Sequence, residues 1–157
     1  MKTLLLFLSL TALLGACQQK PDPNPGPEKP VVIETPAFAR GADVSWLSEM
    51  EKDGKTFKKA DGTPADLFEV LKDCGINAIR LRVWVDPPGG WSSKEDMVKL
   101  AVRAAKAGLA LMVDFHYSDF FADPSRQVIP SAWAGDKDNL DKLCEHVSAH
   151  TSEVLKV

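Results

Sequence analysis

Residues 75–91 read GINAIRLRVWVDPPGGW, and together with LALMVDFHY at 109–117 they decide the fold. Each stretch follows a glycine that stops a helical pattern, Gly75 or Gly108, and enters a strand that is apolar along most of its length. Each then ends in charged and aromatic residues. Side chains alternate along a strand, so Arg80, Arg82 and Trp84 share one face of 76–85 while Ile79, Leu81, Val83 and Val85 share the other. In the same way Asp114 and His116 lie opposite Val113 and Phe115. The apolar sets suit packing against helices, which sends the polar sets to the inner side of the sheet. Buried guanidinium groups need acceptors. Asp114 and Asp43 are the partners expected for Arg80, and a purely structural ion-pair network is the alternative reading for Asp114 and Arg82.

Working outward, AFARGADVS (37–45) is a short first strand, and TPADLFEVLKDCG (63–75) is a helix. Thr63 is its expected cap, with Pro64 in the first turn and Asp66 completing the box. Its apolar face is Leu67, Phe68, Leu71 and Cys74. Ser92 with Glu95 opens the next helix, whose inner residues are Met97, Leu100, Ala101 and Ala104. A third helix starts at Asp138, with Leu140, Leu143, Cys144, Val147 and Leu155 expected on its buried side. The order βαβαβα implies a parallel sheet with helical crossovers. Doubly wound sheets and (β/α)8 barrels share that order. No glycine-rich phosphate loop follows the first strand, and polar residues gather at the C-terminal ends of all the strands, which favours the barrel. The expectation is an α/β chain holding the N-terminal three βα units of a (β/α)8 TIM barrel, truncated before a fourth strand, since a whole barrel takes about 250 residues.

Before the folded part, MKTLLLFLSLTALLGAC has the form of a secretory signal: Lys2, an apolar core from Leu4 to Leu14, then small residues. Leu14-Gly15-Ala16-Cys17 resembles the lipobox of bacterial lipoproteins, which implies lipidation at Cys17 and attachment to a membrane, in the periplasm or at the cell surface. The organisation expected is a signal peptide at 1–16, a proline-rich tether at 17–36 and the partial barrel at 37–157. A net charge of −3 with no basic stripe argues against nucleic acid as a partner. Cys74 and Cys144 make no zinc pattern and are expected as buried free thiols. His146 and His150, four apart on the third helix, read as a solvated or half-buried pair on its outer or flanking side, not as a metal site. Nothing calls for a metal or a cofactor.

Trp84, Trp91, Tyr117 and Trp133 fall at strand ends or in the loops beyond. One such ring is as easily local core as a sugar platform, but four on one rim favour a saccharide site. The loop from Ser118 to Lys137 is long for a plain connection, and its Phe120, Phe121 and Trp133 point to an ordered, functional segment. Asp43, Asp114, Asp119 and Asp123 lie near the same rim. None suits a general acid, which needs a carboxyl kept protonated by burial, whereas Asp114 is expected to stand beside arginines as their ion-pair partner.

RGADVSWLSEME (40–51), GINAIRLRVWVDPPGGW (75–91) and DFHYSDFFADPSRQVIPSAW (114–133) together resemble glycoside hydrolase family 53, the arabinogalactan endo-β-1,4-galactanases. The resemblance implies a TIM barrel and a retaining cleavage of β-1,4-galactan by two glutamates, from the ends of the fourth and seventh strands, neither of which lies in this sequence. By the same resemblance Arg80 and His116 are supporting residues, Arg80 orienting the nucleophile and His116 lining the catalytic pocket. Trp84, Tyr117 and Asp119 match positions near the sugar subsites, and Asp43, Trp91 and Trp133 complete the expected substrate-binding set. The family pattern often reads SDxWADP, and here Phe121 stands in place of that tryptophan, keeping an aromatic face and losing an indole donor. The alternative to a hydrolase is a surface lipoprotein that binds glycan without cleaving it.

Overall fold

A computed structural model describes residues 33–156. The expected signal peptide, Cys17 and nearly all of the tether lie outside these residues. Among the described residues, no helix is long and apolar enough to cross a membrane.

The first strand, β1 (Gly41–Asp43), is shorter than expected and runs straight into α1 (Leu47–Lys52). A small hairpin follows, β2 (Phe57–Lys58) against β3 (Pro64–Ala65). Then come α2 (Leu67–Asp73), β4 (Ala78–Val83), α3 (Lys94–Lys106) and β5 (Ala110–Phe115). A 3-10 turn at Ser131–Asp136 leads to α4 (Leu140–Leu155). The main sheet has the order β1-β4-β5 and both pairings are parallel. Its register sets Asp43 beside Arg80, and Arg82 beside Asp114. Gly75 (φ 85) and Gly108 (φ 73) both turn through the left-handed region, where a side chain would strain the backbone, and each releases a helix into the next strand.

The alternation read from the sequence sets the core. Ile79, Leu81 and Val83 point to the helix side of β4, where they bury completely with Leu47, Phe68, Met97, Leu100, Ala104 and Leu109. Each such aliphatic group contributes about 1.5–3 kcal/mol on leaving water.

Three helix starts differ from expectation by a few residues. Thr63 and Pro64 belong to the hairpin, and Asp66 is the cap of α2, its carboxylate accepting the Phe68 amide at 2.8 Å. Thr63 precedes a proline and is pushed out of helical backbone, which leaves the better capping residue downstream. The box of α3 is Ser93 with Asp96, not Ser92 with Glu95: the Ser93 hydroxyl accepts the Asp96 amide, and the Asp96 carboxylate accepts the Ser92 amide at 2.9 Å. At α4 the cap is Asn139, not Asp138.

The cysteines are also corrected, because both are exposed. Cys74, free but exposed, is the C-cap of α2. Cys144 lies on a stripe of α4 that has no partner among the described residues; Leu140 is 74% exposed and Leu155 62%. The helix instead turns His146, His150 and Val154 inward, so its packed face is rotated from the expected one. Trp133 and Tyr117 attract it, as described next.

Candidate functional site

Three strands end on the same side, and their last residues build two clusters divided by strand parity. On the inner face, Arg80 is half-exposed and paired with Asp114, while Asp43 Oδ2 lies 3.7 Å from Arg80 Nη1. These are the partners expected from the sequence. Asp114 also meets His116 Nε2 at 3.1 Å. Asp43 Oδ1 accepts the Ser45 hydroxyl at 2.7 Å and the Ser45 amide at 3.0 Å. Burial pushes the Asp43 carboxyl up, but these hydrogen bonds and the charges of Arg80 and Arg82 outweigh it and hold the pKa below its ordinary value. The Ser45 oxygen in turn accepts the Arg82 amide at 2.8 Å, which ties the loop after β1 to β4.

Arg82 occupies the centre of this cluster. It is 5% exposed, and its guanidinium carbon sits 4.1 Å from the centre of the Phe121 ring, 4.7 Å from Trp84 and 5.3 Å from Trp46. Its Nε and Nη2 have no hydrogen-bond partner among the described residues. Burial lowers the Arg82 pKa against the pull of Asp43 and Asp114. The rings also meet one another: Trp46 stacks on Phe121 at 5.5 Å, and Trp84 and His116 approach Phe121 edge-on. Trp84 Nε1 and His116 Nδ1 are buried and likewise unpartnered. A buried donor without an acceptor costs about 1–3 kcal/mol, more when charged. Several in one place mark a surface made to meet something else.

Odd-numbered residues of the third strand go the other way. Phe115 and Tyr117 face α4, and Trp133 joins them from the 3-10 turn, its ring stacked on His146 at 5.4 Å. His146 Nε2 also meets Asp136 at 2.8 Å, and the Tyr117 hydroxyl meets Thr151 at 2.8 Å. His150 lies edge-on to Phe115, Tyr117 and Trp133. The two histidines therefore face this aromatic cluster on the helix side of the sheet, not the outer side of the helix. Asp119 is buried with both oxygens occupied, accepting the Asp86 amide at 3.1 Å and the amide and hydroxyl of Ser131 at 2.8 and 2.7 Å. It pins the 118–137 loop to the end of β4. A cavity of about 340 Å³ lies under that loop, lined by Tyr117, Ser118, Ala122, Gln127, Val128 and Ile129.

The four aromatics expected on one rim are thus separated. Trp84 sits with Arg82, Tyr117 and Trp133 with α4, and Trp91 is half-buried beside Gly89. Sequence reasoning missed Trp46 and Ser45, and it named Phe121 without seeing it as the hub. The available signal was position, since Ser45 and Trp46 directly follow the strand that carries Asp43. Among the described residues no group of three or more His, Cys, Asp or Glu is placed to hold a metal ion.

Residues 39–157 match the family model described as glycosyl hydrolase family 53. An uncharacterized protein from the region 5′ of bgaB in Niallia circulans is 40% identical over 79% of this chain and 33% of its own length. The endo-beta-1,4-galactanase of Bacillus subtilis (strain 168) is 39% identical over 62% of this chain and 24% of its own. Among solved structures, the GH53 catalytic domain of Ignisphaera aggregans superposes with a TM-score of 0.68 at 38% identity, covering 85% of this chain and 37% of that one. The chain spans about a quarter to a third of the length of the curated relatives it matches.

Proposed function

The chain belongs to glycosyl hydrolase family 53 and holds three βα units of its TIM barrel, and on that premise we propose that the full-length protein cleaves β-1,4-galactosidic bonds within (arabino)galactan chains. The observation that carries the reading is the strand-end cluster around Arg82, where aromatic faces and unpartnered donors meet at the C-terminal side of parallel strands. The substrate class comes from the names of the relatives.

The proposed chemistry is a retaining displacement. One carboxyl protonates the glycosidic oxygen and another attacks the anomeric carbon, the two standing about 5–5.5 Å apart. The four acids expected near the rim are engaged elsewhere. Asp43 is held by Ser45, Asp114 by Arg80 and His116, and Asp119 by Ser131. Asp123 is pulled below its ordinary pKa by hydrogen bonds from Ser125. With these carboxylates taken up in ion pairs and hydrogen bonds, none is free to serve as acid or nucleophile, so residues 1–157 alone should be catalytically silent. Arg80 and His116 are assigned supporting roles, with the Asp114 carboxylate fixing both. Trp84 with Asp43 lines the inner side of the site, and Tyr117, Trp91, Asp119 and Trp133 shape the loops around it. Cys17 is assigned as a lipid attachment point that holds the enzyme at a membrane, in the periplasm or at the cell surface.

The test is the action of the full-length protein on galactan, mannan and xylan, followed by reducing-end release and by the anomeric configuration of the first product. Galactan cleavage with retention is the expected result. Cleavage of mannan alone would overturn the substrate, inversion would overturn the mechanism, and binding without cleavage would leave a glycan-binding lipoprotein.

A further inference from the structure

The chain enters the sheet along the end where its strands begin, opposite the Arg82 cluster. The Phe38 carbonyl accepts the Asn77 side-chain amide at 3.0 Å, and Asn77 Oδ1 accepts the Arg40 amide at 2.7 Å. Arg40 Nε donates to the Gly75 carbonyl at 2.8 Å. Residues 38–40 are thus laced to the turn between α2 and β4. Upstream, Ile33 is half-buried while Glu34 and Thr35 beside it are exposed. Ile33 lines a groove of about 360 Å³ together with α3, the helix-side face of β5 and the last turn of α4. Every lining residue is apolar, yet Val102 is 48% exposed and Leu111 41%, so Ile33 alone does not fill it. A further strand would pair along the free edge of β5. The groove lies instead over the helix-side face of that strand, between two helices already in place.

We propose that Val31-Val32-Ile33 is a strap that seats in this groove and fixes where the tether leaves the barrel. Val31 and Val32 lie just outside the described residues, immediately before the residue already at the groove wall. Between Gln18 and Pro36 these three are the only large aliphatic residues, and the rest are proline, glycine, polar or charged. A solvated spacer gains nothing from three adjacent β-branched side chains. Laid against Val98, Val102, Leu111 and Leu155, they take apolar surface on both sides out of water. Their preference for extended backbone suits a single segment running along a groove. The consequence concerns access to substrate, and it rests on the lipid attachment proposed at Cys17. A tether pinned near the starts of the strands holds the membrane behind the barrel. The opposite end, which carries Arg80, Arg82 and His116, then faces away from the membrane toward polymeric substrate.

The test is limited digestion of the full-length protein with a glutamyl endopeptidase, with fragment masses read over time. Glu34 directly follows the strap and Glu28 precedes it in the tether, so Glu28 serves as the reference site. Cleavage follows the population of the open form. Val102→Glu puts a charge in the groove wall and should speed cutting at Glu34 by about tenfold, leaving Glu28 unchanged. Val102→Leu should be cut like the wild type. Melting temperature should fall by about 2–4 °C in Val31→Ser/Val32→Ser/Ile33→Ser, which alters no residue of the buried core. Equal cutting at Glu34 in the wild type and a folded Val102→Glu variant overturns the strap. If Val102→Glu does not fold, an unchanged melting temperature in the triple serine variant overturns it instead. A wild-type dimer that Val102→Glu dissociates, seen by light scattering, gives the groove to a second copy and also overturns it. The anchor is read separately. A wild type that never sediments with membranes removes the Cys17 reading and the orientation that follows from it, while the fragment masses still decide the docking.

Discussion

Arg82 and Arg103 are both arginines laid against aromatic rings, one at the strand ends and one on the helix side, and their nitrogens meet opposite fates. Arg103 lies over Phe68 and forms a fork with Glu51 at 2.8 and 2.7 Å while reaching Asp66 at 3.1 and 2.8 Å. The hydrogen bonds it donates to Glu51 lead the causes that raise its pKa. Through it α3 is joined to α1 and to the cap of α2. Arg82 is more deeply buried and keeps two nitrogens without acceptors. A fully paired guanidinium is a structural clasp. One that stays buried and unpaired costs stability, and the fold tolerates that cost where a ligand or another part of the protein completes it.

Substituting each arginine by methionine should separate the two roles. Arg82→Met in the full-length protein should lower kcat/KM by about a hundredfold, as for misplacement of the rings that Arg82 holds at the strand ends. Its unfolding free energy should stay level or rise, since an unpaired charge gives way to an apolar group of similar volume. Arg103→Met should do the reverse, losing about 1–2 kcal/mol of stability by urea unfolding, because a third-exposed network is partly screened, with kcat/KM unchanged. If Arg82→Met destabilises as much as Arg103→Met and leaves activity intact, the contrast is broken.

Smaller effects should come from the cluster on α4. Burial is the main cause holding the His150 pKa below its ordinary 6.5, helped by Lys94 and opposed by Glu153. The neutral ring is favoured in the folded state, so its contribution is present above about pH 6.5 and is lost as the pH falls toward the depressed value. Melting temperature followed from pH 7.5 to 5 should therefore drop less steeply in His150→Phe than in the wild type. An equal drop would show that His150 does not report on this packing. Least of all, Tyr117→Phe removes one hydrogen bond to Thr151 and should cost about 0.5–1.5 kcal/mol in urea unfolding.

Much of this was legible in the chain. The period-two pattern of INAIRLRV placed Ile79, Leu81 and Val83 in the core, and the structure buries all three completely. The same parity put Arg80 opposite them and within reach of Asp43 and Asp114. Helix starts were less legible, because Thr63, Ser92 and Asp138 each stand a few residues from another good capping residue, and only the chain's path into the helix selects between them. The packed face of α4 was misread for a different reason. Hydrophobicity favoured Leu140, Cys144 and Leu155, but the helix docks where Trp133 and Tyr117 offer flat surfaces to His146 and His150.

The sequence by itself determined the alternation of the three main strands with their crossover helices, though not α1 or the β2–β3 hairpin. It also determined the inner and outer faces of the two longer strands and the family, because those depend on local period and on short motifs. Tertiary structure alone decided which arginine would be left wanting. Arg80 and Arg82 have the same residue type, the same strand and the same face, and they differ only in what arrives from far along the chain. Asp114 reaches Arg80, whereas Phe121 and Trp46 fold over Arg82 and displace water from it without supplying an acceptor.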